Sequence, residues 1–205
     1  MEVNYWVNHF MLGLYDMSWL EGLAVFFGLA SVYFSIKRNI LVFPTGIIST
    51  LIYVWICFQV RLYADMGINA YYFSMSIYGW YIWANPKPGK SEVPVTWLST
   101  RGILNSLLLF LISYLLLYAI LHFFTDSDVP SWDALTTASA FVGMWLMAKK
   151  KVENWIAWII TDLISVPLYI YKGLPLTAFQ FGVFTVMASI GLHSWIKAYR
   201  KTQTA

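Results

Sequence analysis

The 205-residue sequence is 60% hydrophobic and only 11% charged, where a soluble domain averages about 25% charged; that leaves too little charged surface for an ordinary soluble enzyme. Thirteen basic and ten acidic residues give a net charge of +3, too small and too scattered for a nucleic-acid binder. The composition is that of an integral membrane protein, with the lipid bilayer as its first partner.

In chain order, residues 1–18 lack the basic leader of a signal peptide and read as an amphipathic segment at the membrane interface. A crossing helix needs about 20 mostly apolar residues. Segments of that kind fall at 19–36, 41–60, 63–83, 103–123, 133–149, 154–171 and 174–196, followed by a basic tail, 197–205. The fourth, ILNSLLLFLISYLLLYAILHFF, is the most uniformly apolar. The expected fold is therefore all-α with seven transmembrane helices. Trp6, Trp19, Trp83, Trp97, Trp132 and Trp195 lie near segment ends and read as an interfacial belt.

The connections carry the charge. If the N-terminus is outside, the cytoplasmic side holds Lys37 and Arg38, then Lys87, Lys90 and Arg101, then Lys149, Lys150 and Lys151, and finally Lys197, Arg200 and Lys201. Only Arg61 and Lys172 fall outside, so 11 of the 13 basic residues are inside. This asymmetry predicts an odd number of spans, with the N-terminus out and the C-terminus in.

Residues 19–83 and 131–196 echo each other. Trp19 and Trp132 are 113 positions apart, and Trp83 and Trp195 are 112 apart. Each stretch has a basic cluster after its first helix. Each also has an Ile-Ser step (Ile48-Ser49; Ile164-Ser165) with Tyr53 or Tyr169 four residues after the serine. Two three-helix halves joined by one linker helix, 103–123, would insert in the same orientation. A parallel repeat of this kind places a transport site between the halves near the midplane.

Polar side chains at membrane depth are costly unless they face protein or water. Trp155, Trp158 and Asp162 share one helical face. Two indoles and a carboxylate suit a flat cationic ligand; the alternative is that Asp162 bonds a neighbouring helix and the indoles pack. Asn69, Tyr72 and Ser76 share a face in the third segment, and Thr177, Gln180 and Phe184 do so in the seventh. Their amides and hydroxyls can hold a ligand or join helices. Asp65, near the outer end of the third segment, is expected to reach water or pair with Arg61.

One cysteine, Cys57, makes neither an internal disulfide nor a Cys-based zinc site. His9, His122 and His193 are far apart, with no metal-binding spacing. No phosphate-cradling GxxxxGK[ST] loop is present. No metal, cofactor or ATP-driven step is expected. A membrane enzyme using Asp162 or Asp65 would lack a facing carboxylate or histidine partner.

LYADMGINAYYFSMSIYGWYIW (62–83), FVGMWLMAKKKVENWIAWIITDLISVPLYIYKG (141–173) and the closing LTAFQFGVF and GLHSW resemble the PnuC family of vitamin transporters. The similarity runs from about Trp19 to Trp195. It implies a SWEET-like arrangement of three helices, a linker and three helices. It also implies a homotrimer and uptake of nicotinamide riboside, for NAD biosynthesis, across the bacterial inner membrane. The implied mechanism is facilitated diffusion with phosphorylation by a cytosolic kinase trapping the product. Relatives carry thiamine or other vitamins, and thiamine also presents a flat cationic ring. On this reading Trp155 and Trp158 stack on the pyridinium, Asp162 senses its charge, and Asn69, Asn154 and Gln180, beside Tyr72, bond the carboxamide or ribose.

Overall fold

A computed structural model describes residues 7, 10–12, 18–59 and 61–203. Trp6 and most of the expected interfacial segment lie outside the described residues. Seven long helices follow: α1 (Trp19–Ile36), α2 (Val42–Gln59), α3 (Tyr63–Ala84), α4 (Thr100–Phe124), α5 (Pro130–Ala148), α6 (Glu153–Tyr171) and α7 (Pro175–Gln203). Local chemistry sets their starts. The Ser18 hydroxyl accepts from Glu21 N at 3.2 Å and the Ser99 hydroxyl from Gly102 N at 3.2 Å, so each caps a first turn. Pro130 opens α5, where its missing N–H costs nothing. α7 runs on through Lys197, Arg200 and Lys201 to Gln203.

Five of the helices, α1, α2, α4, α6 and α7, are long and apolar enough to cross a membrane. α5 is less apolar for a visible reason. Ten of its residues, mostly small ones such as Ala134, Ala138, Ser139 and Gly143, are buried against neighbouring helices. A helix sheathed in protein needs no greasy coat. α4 is the opposite: of its 25 residues only Ser106 and Ser113 are buried.

Within the chain, α1, α2 and α3 pack in succession, as do α5, α6 and α7. The two groups meet where α3 lies on α5 and α1 on α7. At those seams Trp83 Nε1 donates to the Ala148 carbonyl at 3.1 Å, and Trp195 Nε1 donates to the Ser35 carbonyl at 2.9 Å. Both indoles are buried, at 7% and 0% exposure. They are therefore core residues, not members of the interfacial belt; Trp19 and Trp132 are exposed as a belt requires. An indole at a helix end can serve either role, and here a carbonyl across the seam decides it.

Several details recur 112 residues on. Arg38 and Lys150 both take positive φ, 57° and 55°. Arg38 N donates to Ser35 O and Asn39 N to Phe34 O; Lys150 N donates to Met147 O and Lys151 N to Leu146 O. Arg61 and Gly173 repeat the pattern at φ 60° and 72°. These are left-handed helix caps that satisfy the last free carbonyls. Phe43 lies edge-on to Trp83, with centroids at 5.0 Å, as Trp155 does to Trp195 at 5.6 Å. The turns keep the spacing of 112. The Ile48-Ser49 and Ile164-Ser165 steps, 116 apart, are therefore not equivalent positions.

The connection between α3 and α4 is stitched to the turn before α6. Thr96 N donates to Lys150 O at 3.2 Å, Val152 N to Thr96 O at 3.0 Å, and Leu98 N to Glu153 Oε1 at 2.7 Å. Lys150, only 2% exposed, places its ammonium 4.5 Å from the Trp83 ring centroid and 3.1 Å from Glu92 Oε2. Burial lowers the Lys150 pKa below the usual lysine value, and the hydrogen bond to Glu92 opposes that shift. Glu92→Gln should therefore lower thermal stability by about 1–2 kcal/mol, the exposed carboxylate limiting the loss. Because the folded pKa lies below the unfolded one, the deficit should shrink as pH rises toward 10.5. Melting curves between pH 7 and 10 check both.

Candidate functional site

Asp162 sits midway along α6 and is 3% exposed. Its carboxylate has no hydrogen bond or ion pair among the described residues; the ion pairs found there join Lys150 to Glu92 and Lys172 to Asp133. Tyr72 of α3 lies within electrostatic reach of it.

One turn before Asp162, Trp158 lies against α5 at Gly143. A Cβ on Gly143 would come within 3.1–3.3 Å of three indole atoms, so the missing side chain lets the ring settle on the helix backbone. The Trp158 centroid is 6.3 Å from Tyr72, which meets Phe141 of α5 edge-on at 6.2 Å. Tyr71 stacks on Phe141 at 4.1 Å and donates its hydroxyl to the Phe141 carbonyl at 2.9 Å. Three helices thus bring Tyr72, Phe141, Trp158 and Asp162 together. The arrangement is an aromatic wall with one unpaired carboxylate, which suits a flat cation.

Trp155 does not join this wall. It turns into the α6–α7 seam, 2% exposed, against Gly191 and Trp195. Asn154 is fully buried beside it and donates to the Lys151 carbonyl at 2.6 Å. Its Oδ1 and the Trp155 Nε1 are buried with no hydrogen-bond partner among the described residues. Spacing of i, i+3 permits one face, but the two indoles meet different neighbours, Gly143 and Tyr72 for Trp158, Gly191 and Trp195 for Trp155.

Asn69 is half-buried and donates back to the Asp65 carbonyl at 2.9 Å, and its Oδ1 has no hydrogen bond among the described residues. Asp65 is exposed and makes no ion pair with Arg61. Gln180 is half-buried on α7, with no hydrogen bond of its own among the described residues. Neither amide hydrogen-bonds to a residue of the aromatic wall. Phe141 and Gly143 were not among the residues singled out from sequence; the small-residue pattern of α5 was the available signal. An open groove of about 710 Å³ between α6 and α7, lined by Val166, Ile170, Phe179 and Val186 among others, has an apolar lining and excludes all these residues. No group of three His, Cys, Asp or Glu able to hold a metal occurs among the described residues.

Residues 18–197 match the family model described as "Nicotinamide mononucleotide transporter". The chain belongs to that family. As a member of the nicotinamide mononucleotide transporter family it is a multi-pass membrane transporter and not an enzyme. It is 27% identical to the nicotinamide riboside transporter PnuC of Escherichia coli, over 92% of this chain and 90% of that one. It is 25% identical to the riboflavin/roseoflavin transporter RibM of Streptomyces davaonensis, over 93% and 91%. Its fold is that of the crystal structure of the vitamin B3 transporter PnuC, with a TM-score of 0.72, 21% identity, and 97% and 90% of the two chains covered.

Proposed function

We propose that this protein takes up nicotinamide riboside across the bacterial inner membrane. The observation that carries the reading is the unpaired Asp162 carboxylate beside Trp158 and Tyr72. A pyridinium ring lying against the indole and the phenol would place its positive charge within reach of that carboxylate. The names of the similar transporters favour the vitamin. The family description names a mononucleotide, but the helices carry Lys and Arg only within about two turns of an end. A phosphate at the midplane would find no cationic partner, so the riboside is favoured.

All seven helices act as spans, with the N-terminus outside and the C-terminus cytoplasmic. α1–α3 and α5–α7 act as two parallel halves joined by α4. The turns repeated at a spacing of 112 and the paired Trp83 and Trp195 bonds across the seams support this division. Cargo binds between the halves, which rock to alternate access. The cargo gradient, maintained by phosphorylation in the cytosol, drives facilitated diffusion. The exposed flank of α4 is available for packing into a homotrimer.

In this arrangement Asn69, Asn154 and Gln180 provide amides for the ribose and carboxamide as the halves close, with Tyr72 and Trp158 on the ring. Trp155 acts from behind by seating α6 on α7. Trp158→Ala should weaken riboside binding about 5–30-fold, or about 1–2 kcal/mol, while leaving the fold intact; calorimetric titration in detergent reads this. Uptake of labelled nicotinamide riboside into proteoliposomes, with unlabelled thiamine and riboflavin as competitors, tests the cargo. Stronger competition by thiamine than by the unlabelled riboside would leave the cation site standing and overturn the vitamin.

A further inference from the structure

We infer that Gly143 is a positioning residue of the cargo site: by lacking a side chain, it sets how deep the Trp158 indole lies and which face the indole offers to the cargo. This inference rests on the cargo reading above, since Trp158 is the ring that Gly143 positions.

The contact fixes the orientation of the ring. A Cβ on Gly143 would lie 3.1 Å from Trp158 Cε2 and 3.3 Å from both Cδ2 and Nε1. Those atoms include both ends of the bond that the two fused rings share. A point in the ring plane would meet other ring atoms first, whereas a point over the face reaches all three almost evenly. One face of the indole is therefore covered by the α5 backbone, and only the other can take a ligand. Gly143 is buried while Trp158 is half-buried, as a ring with one open face should be.

α5 seats the other aromatic group as well. Two residues before Gly143, the Phe141 carbonyl accepts from the Tyr71 hydroxyl at 2.9 Å, and the Phe141 ring meets Tyr72 edge-on at 6.2 Å. α3 is thus held at Phe141 and α6 at Gly143. One stretch of backbone sets the distance between Tyr72 and Trp158.

The recurrence at a spacing of 112 separates this contact from ordinary packing. Gly191 lies under Trp155, and 112 residues earlier Gly79 lies under Phe43. A ring on a glycine is kept at both places, as a structural seam would be. The positions 112 before Gly143 and Trp158 are Ser31 and Gly46. These two also meet, since a Cβ on Gly46 would lie 3.0 Å from Ser31 Oγ, but neither carries a ring. The indole at this helix crossing belongs to α5 and α6 alone, one turn from Asp162.

The two kinds of contact differ in tightness. A Cβ on Gly191 would lie 2.6 Å from three atoms of Trp155, a ring only 2% exposed. At Gly143 the 3.1–3.3 Å separation is only a few tenths of an ångström short of the usual resting distance of about 3.5–4.0 Å. The half-buried Trp158 has room to yield by that much. Gly143→Ala should therefore keep the fold and lift the indole off α5 toward its open face. Asp162 stays with the α6 backbone, so the ring and the carboxylate lose their register around a flat cation.

Calorimetric titration of the purified transporter with nicotinamide riboside tests this. Gly143→Ala should weaken binding about three- to fivefold, with an unfolding temperature near that of the wild type. In a Trp158→Ala background the same substitution should leave affinity unchanged, because the ring it displaces is gone. Gly182→Ala, where nothing lies within 4 Å of a Cβ, is the control and should bind as the wild type does. Wild-type affinity in Gly143→Ala overturns the proposal, and so does an equal loss in both backgrounds. A Gly143→Ala protein that fails to fold, or melts far below the wild type, also overturns it, because Gly143 would then be a packing residue like Gly191. Trp158→Ala by itself reads the cargo assignment. Undiminished riboside binding there overturns both readings, and weakened binding there beside an unaffected Gly143→Ala overturns only the positioning role.

Discussion

Trp155→Ala should destabilise the fold by about 3–5 kcal/mol, the cost of a large ring removed from a closed site. Trp155 is 2% exposed and edge-on to Trp195, which is itself fully buried, with centroids 5.6 Å apart. Its six-membered ring fills the space over Gly191. Removing it empties the α6–α7 seam at the point where Trp195 also reaches across to Ser35. The contrast with Trp158 is the diagnostic one. Both are tryptophans on α6, three residues apart, yet Trp158 is only half-buried and fronts Tyr72. Thermal unfolding in detergent should show a large drop for Trp155→Ala and a small one for Trp158→Ala, with riboside affinity ordered the other way in the folded fraction. Trp155→Phe should recover part of the loss. If Trp155→Ala unfolded at the wild-type temperature yet lost the riboside, the indole would belong to the cargo site after all.

Hydropathy and spacing revealed the helices. The predicted 63–83 and 154–171 segments lie within a residue of α3 and α6, because the desolvation that selects apolar runs acts locally on the chain. The halves were legible only in outline. Trp83 and Trp195 marked the right spacing, but three of the four recurring caps put Arg38, Arg61 and Lys150 in the left-handed region. Glycine is the usual flag for such a cap, and only Gly173 carries it. Asp162 was legible as a lone carboxylate at depth. Trp155 was not legible as a seam residue, since the periodicity that places two indoles on one face is silent about which neighbour each ring meets. The same holds for Gly143: a helical glycine is visible in sequence, but the ring it accommodates comes from another helix.

Gly191→Ala should destabilise by about 1–3 kcal/mol or more, as overpacking of a closed core does, and Gly79→Ala should match it. A Cβ at Gly191 would lie 2.6 Å from three atoms of the Trp155 ring. At Gly79 it would come closer still to Phe43, with Ala148 Cβ 3.1 Å away. Carbon atoms rest about 3.5–4.0 Å apart, so something must move in each case. Neither ring has anywhere to go. Phe43 is fully buried against Trp83, and Trp155 is braced by Trp195. Gly182→Ala is the control, because nothing lies within 4 Å of a Cβ there and helix propensity alone should leave it neutral or slightly stabilised. The origin of the loss can also be read. If the clash with Trp155 is its source, adding Trp155→Phe to Gly191→Ala should restore stability beyond the sum of the single effects, a coupling that residues in contact show and distant ones do not. Strict additivity, or a Gly191→Ala protein that melts with the wild type, would mean that Trp155 does not seat α6 on α7. The reading that assigns it the supporting role and Trp158 the cargo would then fall with it.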